Sequence, residues 1–240
     1  MFNLEKIKGI IFDYEGTIDT NGLPWAEVIW QAYQALEIPV DKKTFSKAYI
    51  VGERTLAQNQ LVQPQQNFWH VLRLKAETQI HWLFDNGFLH DKNLEPRYIT
   101  GIADWCYAYV QMSTNTARPI LKKLAERYPL VLVSNFYGNI GAVLEDFHLK
   151  EFFSSIIESS VIGVKKPDPE IFRLGVDKTG FAPDEVVVIG DSYDKDIVPA
   201  TSVGCSMIWL RNEGSILYTG DETADVIIMD FAQLKDFFQL

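Results

Sequence analysis

Seven residues carry the side chains from which this sequence could build a reaction centre: Asp13, Glu15, Ser134, Asn135, Lys166, Asp191 and Asp196. Asp13 and Glu15 follow a short apolar run at 7–12, Ser134 and Asn135 follow one at 130–133, and Asp191 follows one at 186–189. Lys166 stands in Gly163-Val164-Lys165-Lys166-Pro167-Asp168-Pro169, and Asp196 comes five residues after Asp191. Carboxylates, a hydroxyl and an ammonium gathered at one edge suit a divalent cation and a phosphoryl group. Mg²⁺ takes oxygen ligands and binds through one or two carboxylates plus substrate oxygens and water. Its charge offsets the repulsion between an anionic nucleophile and an anionic phosphate.

The elements that must position these residues follow from the hydrophobic pattern. The runs at 7–12, 130–133, 186–189 and 207–210, the last ending at Arg211-Asn212, are short and, Lys8 and Gly9 apart, uniformly apolar. They fit parallel strands covered on both faces. Between them, 116–127 puts Ile120, Leu121 and Leu124 on one side of a helix. Asp168-Pro169-Glu170 reads as an N-cap acid, a proline at the first helical position and an amphipathic run towards Thr179. This alternation predicts an α/β fold, a doubly wound parallel sheet, with ligands bound beyond the carboxyl ends of the strands.

The alternation breaks off between residues 21 and 115, where helices are expected at 24–36, 41–49, 65–84 and 95–112. The simplest organisation is a core of residues 1–20 and 115–240 with a helical domain, 21–114, inserted after the first strand. Five of the six tryptophans (Trp25, Trp30, Trp69, Trp82 and Trp105) fall in that insert. Most of them are expected to pack its interior, and one or two to face a ligand at the domain interface.

Composition narrows the partners. At 240 residues the chain is long enough for one or two domains. With 47% hydrophobic residues, it has no apolar run near the roughly 20 residues of a membrane span. Thirty-two acids against 22 bases leave a net charge of -10, which repels nucleic acid and anionic membranes, so an anionic substrate needs local donors. Cys106 and Cys205 are far apart, and the opening residues lack a secretory signal, so a reducing cytoplasm is the expected compartment. No His pair has metal-ligand spacing, and no nucleotide-binding glycine loop or serine nucleophile elbow is present.

Four segments together carry a resemblance: Phe12-Asp13-Tyr14-Glu15-Gly16-Thr17, Val133-Ser134-Asn135, Lys166-Pro167-Asp168-Pro169, and Gly190-Asp191 with Asp196. In type and order they resemble the four motifs of the haloacid dehalogenase superfamily, in the branch with a helical cap inserted after the first motif. The resemblance covers the sheet domain. It implies a Rossmann-like core in which Asp13 attacks phosphorus and forms an aspartyl-phosphate that water then hydrolyses. Ser134, with Asn135 beside it, would bind the phosphoryl group, and Lys166 would neutralise charge on nucleophile and phosphate. Mg²⁺ would be held by Asp13, Asp191 and the Glu15 backbone carbonyl, with Asp196 either a further ligand or a residue that orients one. Glu15 would be the general acid and base, where most phosphatases of the family have aspartate.

Glutamate supports the same chemistry, but its extra methylene moves the carboxyl by more than about 1 Å, which matters for proton transfer within hydrogen-bond contact. The enolase-phosphatase group of the superfamily also has glutamate there. The metal-free dehalogenase branch lacks the acid supplied here by Asp191 and has tyrosine at the position of Glu15. The expected protein is a Mg²⁺-dependent phosphatase of a small phosphorylated metabolite, monomeric or homodimeric, with the cap closing over the site. Two alternatives stand beside it. One is a phosphomutase with the same core chemistry, in which Arg54 of Gly52-Glu53-Arg54-Thr55 holds a distal phosphate instead of being a merely exposed helical arginine. The other is a catalytically quiet binding protein in which Glu15 points away.

Overall fold

The computed structural model describes residues 2–211 and 224–240; Asn212, expected to end the last strand run, lies outside the described residues. Six strands, β1 (Gly9–Phe12), β2 (Leu130–Ser134), β3 (Ser155–Glu158), β4 (Val186–Gly190), β5 (Ser206–Leu210) and β6 (Val226–Ile228), form one sheet in the order β3-β2-β1-β4-β5-β6. All neighbours are parallel. Successive residues of a strand point to opposite faces, and here both faces are covered. Ile10, Phe12, Leu130, Leu132, Val187, Ile189, Ile208 and Leu210 enter one apolar cluster. Ile11, Val131, Val133, Val186, Val188, Met207 and Trp209 enter the other. Both layers need apolar side chains, so the strand runs show no polar alternation.

Nine helices accompany the sheet: α1 (Trp25–Ala35), α2 (Lys42–Gln58), α3 (Phe68–Asp85), α4 (Glu95–Ala125), α5 (Ile140–Asp146), α6 (Ser159–Ile162), α7 (Glu170–Thr179), α8 (Val198–Val203) and α9 (Leu234–Phe237), counted among the described residues. The first four arise between β1 and β2 and pack mainly on one another, α3 lying against both α2 and α4. Among the described residues, no helix is long and apolar enough to cross a membrane.

Two expectations at the level of elements are corrected. The helices anticipated at 95–112 and 116–127 are one, α4, which runs for 31 residues with Pro119 inside it. The polar stretch at 112–116 does not end it, because Thr114 is buried and its hydroxyl donates back to the Val110 carbonyl at 2.8 Å. Likewise α2 extends to Gln58, well past residue 49. The edge strands β3 and β6 were not anticipated. Each offers only two or three apolar residues, too few to register as a buried run.

Candidate active site

The central strands aim their carboxyl ends at one place. Asp13 leaves β1 with its N–H donating to the Ile189 carbonyl of β4 at 3.0 Å, which holds it beside the end of that strand. Its Oδ1 accepts from the Tyr14 N–H at 2.7 Å and lies 2.6 Å from Lys166 Nζ. The same ammonium lies 2.7 Å from Asp196 Oδ1. Asp196 Oδ2 in turn accepts from the Ser192 N–H at 3.0 Å. A π-helical turn, Tyr193–Ile197, brings Asp196 back over the end of β4, the kind of irregularity that often re-aims a side chain at a functional site.

Asp191 completes the group, its Oδ1 accepting from the Thr17 hydroxyl at 3.0 Å. On the far side, Trp209 of β5 donates its indole N–H to the Asp191 carbonyl at 2.8 Å. Oxygens of Asp13, Asp191 and Asp196 all lie within 4.8 Å of one another. Burial is the main cause that pushes the Asp13 carboxyl up to about 7; Lys166 opposes the rise and Asp196 adds to it. Asp191 is held well above the usual carboxylate range by burial, then by Asp196 and Asp13. For Lys166, burial works against the charge, but Asp13 and Asp196 outweigh it and raise its pKa above the ordinary lysine value.

Three crowded carboxylates against one ammonium leave excess negative charge at a buried place. Hard oxygen donors in that arrangement fit a divalent cation such as Mg²⁺. Two glycines make the crowding feasible. Gly16 has φ +90, and a Cβ there would run into the Asp191 carboxylate. A Cβ on Gly190 would lie 2.6 Å from the Asp196 Cβ.

The remaining candidates surround this group. Ser134 ends β2 fully buried, and its Oγ has no hydrogen-bond partner among the described residues. Asn135 closes on the backbone of Lys166, its Nδ2 donating to the carbonyl at 3.0 Å and its Oδ1 accepting from the N–H at 2.9 Å. Asp13, Glu15, Gly16, Trp25, Asn135, Lys166 and Asp191 line one cleft of about 230 Å³. Arg54 is exposed on α2 and lines an adjoining space of about 710 Å³ that also touches Glu15, Asn135, Lys165 and Lys195. Of the five cap tryptophans, Trp25 faces the first cleft.

Sequence reasoning passed over the groups that bind the β1 loop to the helices. Asp19 is buried and accepts from the Gly16 N–H at 2.7 Å and from the Trp25 indole at 2.9 Å. Lys75 of α3 is 1% exposed and pairs with Glu53 of α2 at 3.0 Å and with Glu15 at 3.3 Å. A signal for Lys75 was present: it shares the stripe of Phe68, Val71, Leu72, Gln79 and Ile80, where a charge needs a partner.

The sequence model for haloacid dehalogenase-like hydrolases matches residues 7–204, which includes all seven candidate residues. The chain belongs to that family. Among relatives of this haloacid dehalogenase-like hydrolase is a phosphoglycolate phosphatase from Photobacterium profundum. It is 26% identical over 100% of this chain and 99% of its own length. The magnesium-bound HAD-hydrolase YfnB from Bacillus subtilis superposes with a TM-score of 0.61 at 16% identity, over 98% of this chain and 99% of that one. A 2-haloacid dehalogenase from Pseudomonas syringae pv. Tomato DC3000 gives a TM-score of 0.53 at 22% identity, over 97% and 98%. These two likenesses speak for the fold, which this hydrolase shares with members of different named activities.

Proposed function

We propose that this protein is a Mg²⁺-dependent phosphatase of a small phosphorylated metabolite that works through an aspartyl-phosphate on Asp13. The observation that carries the reading is the disposition of Asp13 among Lys166, Asp191 and Asp196. Both donors to Asp13, the Tyr14 amide and the Lys166 ammonium, reach Oδ1. Its Oδ2 accepts no hydrogen bond from the described residues and is the oxygen available for attack. The phosphatase names among the curated relatives are in keeping with this reading.

Asp13, Asp191 and the backbone of the Glu15 turn would hold the Mg²⁺, which when bound withdraws charge from the phosphoryl oxygens and the nucleophile. Asp196, with one oxygen on Lys166 and the other on the Ser192 amide, orients Lys166. Lys166 favours the ionised form of the nucleophile, against the effect of burial, and neutralises a phosphoryl oxygen. The Ser134 hydroxyl, without a partner among the described residues, donates to another of those oxygens. Glu15 gives a proton to the departing oxygen and then takes one from the attacking water. Residues 21–114 form the cap, and the space beside Arg54 receives the organic part of the substrate. That space is wide enough for a metabolite and lined by α2 on the cap side and the β3–α6 segment on the core side.

Hydrolysis of an aryl phosphate with and without Mg²⁺, by the wild type and by Asp13→Asn, tests the reading. Metal-dependent turnover that disappears in Asp13→Asn supports it, and its absence in the wild type across a panel of metabolite phosphates, phosphoglycolate included, would reject it.

A further inference from the structure

The acid–base carboxyl at Glu15 is tied to the cap, although it stands on the core. Its Oε1 is 3.3 Å from Lys75 Nζ on α3, and the same nitrogen is 3.0 Å from Glu53 of α2. Lys75 is fully enclosed, with Trp25 and Tyr137 rings 5.7 and 5.2 Å from the ammonium. Burial works against its charge, but Glu53 first, then Tyr137 and Glu15, hold it protonated.

We propose that Lys75 is a positioning residue that fixes the Glu15 carboxyl toward the leaving oxygen, so that the cap, through α3, sets the geometry of proton transfer. This assignment rests on the phosphatase reading. Three observations carry it. Glu53 by itself neutralises the ammonium, reaching it with both oxygens at 3.0 and 3.3 Å, so Glu15 is not needed for charge compensation. Glu15 uses one oxygen on Lys75, and its Oε2 accepts no hydrogen bond from the described residues. That leaves one carboxyl oxygen for the reaction while the other is held.

The third observation is length. The separation of 3.3 Å is reached by a glutamate; an aspartate at position 15, shorter by one C–C bond of about 1.5 Å, would fall short of ion-pair contact. Glu15 and Lys75 are therefore matched to each other. The glutamate that departs from the family's usual residue is the one able to reach the cap.

General acid catalysis matters most when the leaving group is a poor one, which gives a readout that a structural role does not move. The second-order constant kcat/KM for an alkyl phosphate and for p-nitrophenyl phosphate, whose leaving group departs without protonation, would be measured for each variant. Lys75→Met is expected to lower the alkyl constant at least ~10-fold more than the aryl constant, within the range of ~10²–10⁴ that a positioned acid contributes. Lys75→Gln, which keeps a polar group in the pocket, should move the ratio the same way if Lys75→Met fails to fold. In the Glu15→Asp background, Lys75→Met should leave the ratio unchanged. An equal fall for both substrates, or the same ratio change with and without Glu15→Asp, would overturn the assignment while leaving the phosphatase reading intact. Glu15→Gln with an unaltered ratio would likewise overturn the assignment alone, whereas a wild type without Mg²⁺-dependent turnover would overturn both.

Discussion

Asn135 and Lys166 are joined by a reciprocal pair of hydrogen bonds, the Asn135 amide donating to the Lys166 carbonyl at 3.0 Å and accepting from its N–H at 2.9 Å. The pair locks the backbone of the lysine to the end of β2, and hence to the strand beside β1. The ammonium can then reach both Asp13 and Asp196 without searching for a geometry. Asn135 thus fixes the placement of Lys166, whichever other contacts its backbone makes.

Replacing Asn135 by alanine leaves the Lys166 carbonyl and N–H without these partners. Stability is expected to fall by about 1–3 kcal/mol, and kcat to fall more than KM rises, because the loss lies in the placement of charge and not in substrate contact. Thermal unfolding together with steady-state kinetics on an aryl phosphate checks both. Unchanged kcat in a folded Asn135→Ala protein would contradict the role.

Asp13 and Asp191 bind protons more tightly in the folded chain than in the unfolded one, Asp13 titrating near 7. For a carboxyl with a raised folded pKa, folding takes up protons between the unfolded value, about 4, and the folded one. The metal-free protein is therefore expected to lose stability as pH rises from about 4 to about 7. Mg²⁺ binds the ionised form and should flatten that slope, raising Tm most at the upper end. Melting curves in chelator and in excess Mg²⁺ across this window measure the difference. A metal-free stability that rises through it would refute the prediction.

Gly16→Ala should weaken metal binding more than it weakens the fold. The residue has φ +90, and the added methyl would collide with the Asp191 carboxylate. The strained backbone costs about 1–2 kcal/mol, while displacement of Asp191 weakens cation binding directly. Calorimetric titration with Mg²⁺ is expected to show at least ~10-fold weaker binding, within the loss seen when metal-site geometry is disturbed.

Trp209→Phe keeps the ring in the core beneath the sheet edge but deletes the indole N–H that holds the Asp191 carbonyl at 2.8 Å. With the indole's lost volume added to the lost hydrogen bond, a fall of about 2–3 kcal/mol in stability is expected, with a smaller drop in Mg²⁺ affinity than for Gly16→Ala. Side-by-side titration of the two variants ranks them.

The sheet and the cluster at its carboxyl edge were legible because parallel strands announce themselves as apolar runs and deliver their next residues to one place. Asp13, Ser134 and Asp191 could be found by reading one step past each run. What could not be read was contact between segments distant in the chain. Lys75 shows only as a charge on an apolar stripe, and nothing nearby in sequence names Glu15 as its partner. The continuity of α4 was hidden by Pro119 and the polar residues before it, since both are local signals of an end and the burial of Thr114 that overrides them is tertiary. Glu15 was recognised as a departure in length, but the reason for its length lies on α3, across the cleft.

The single helix α4 belongs at its start with the cap helices, where Ile99, Ile102 and Cys106 are buried, and at its end with the sheet domain, where Ile120, Leu121 and Leu124 are buried. At about 1.5 Å per residue, its 31 residues make one stiff spar joined to both parts. A spar of this kind has no slack. Any bend of the spar itself is expected to concentrate where Pro119 removes a rung from the hydrogen-bond ladder.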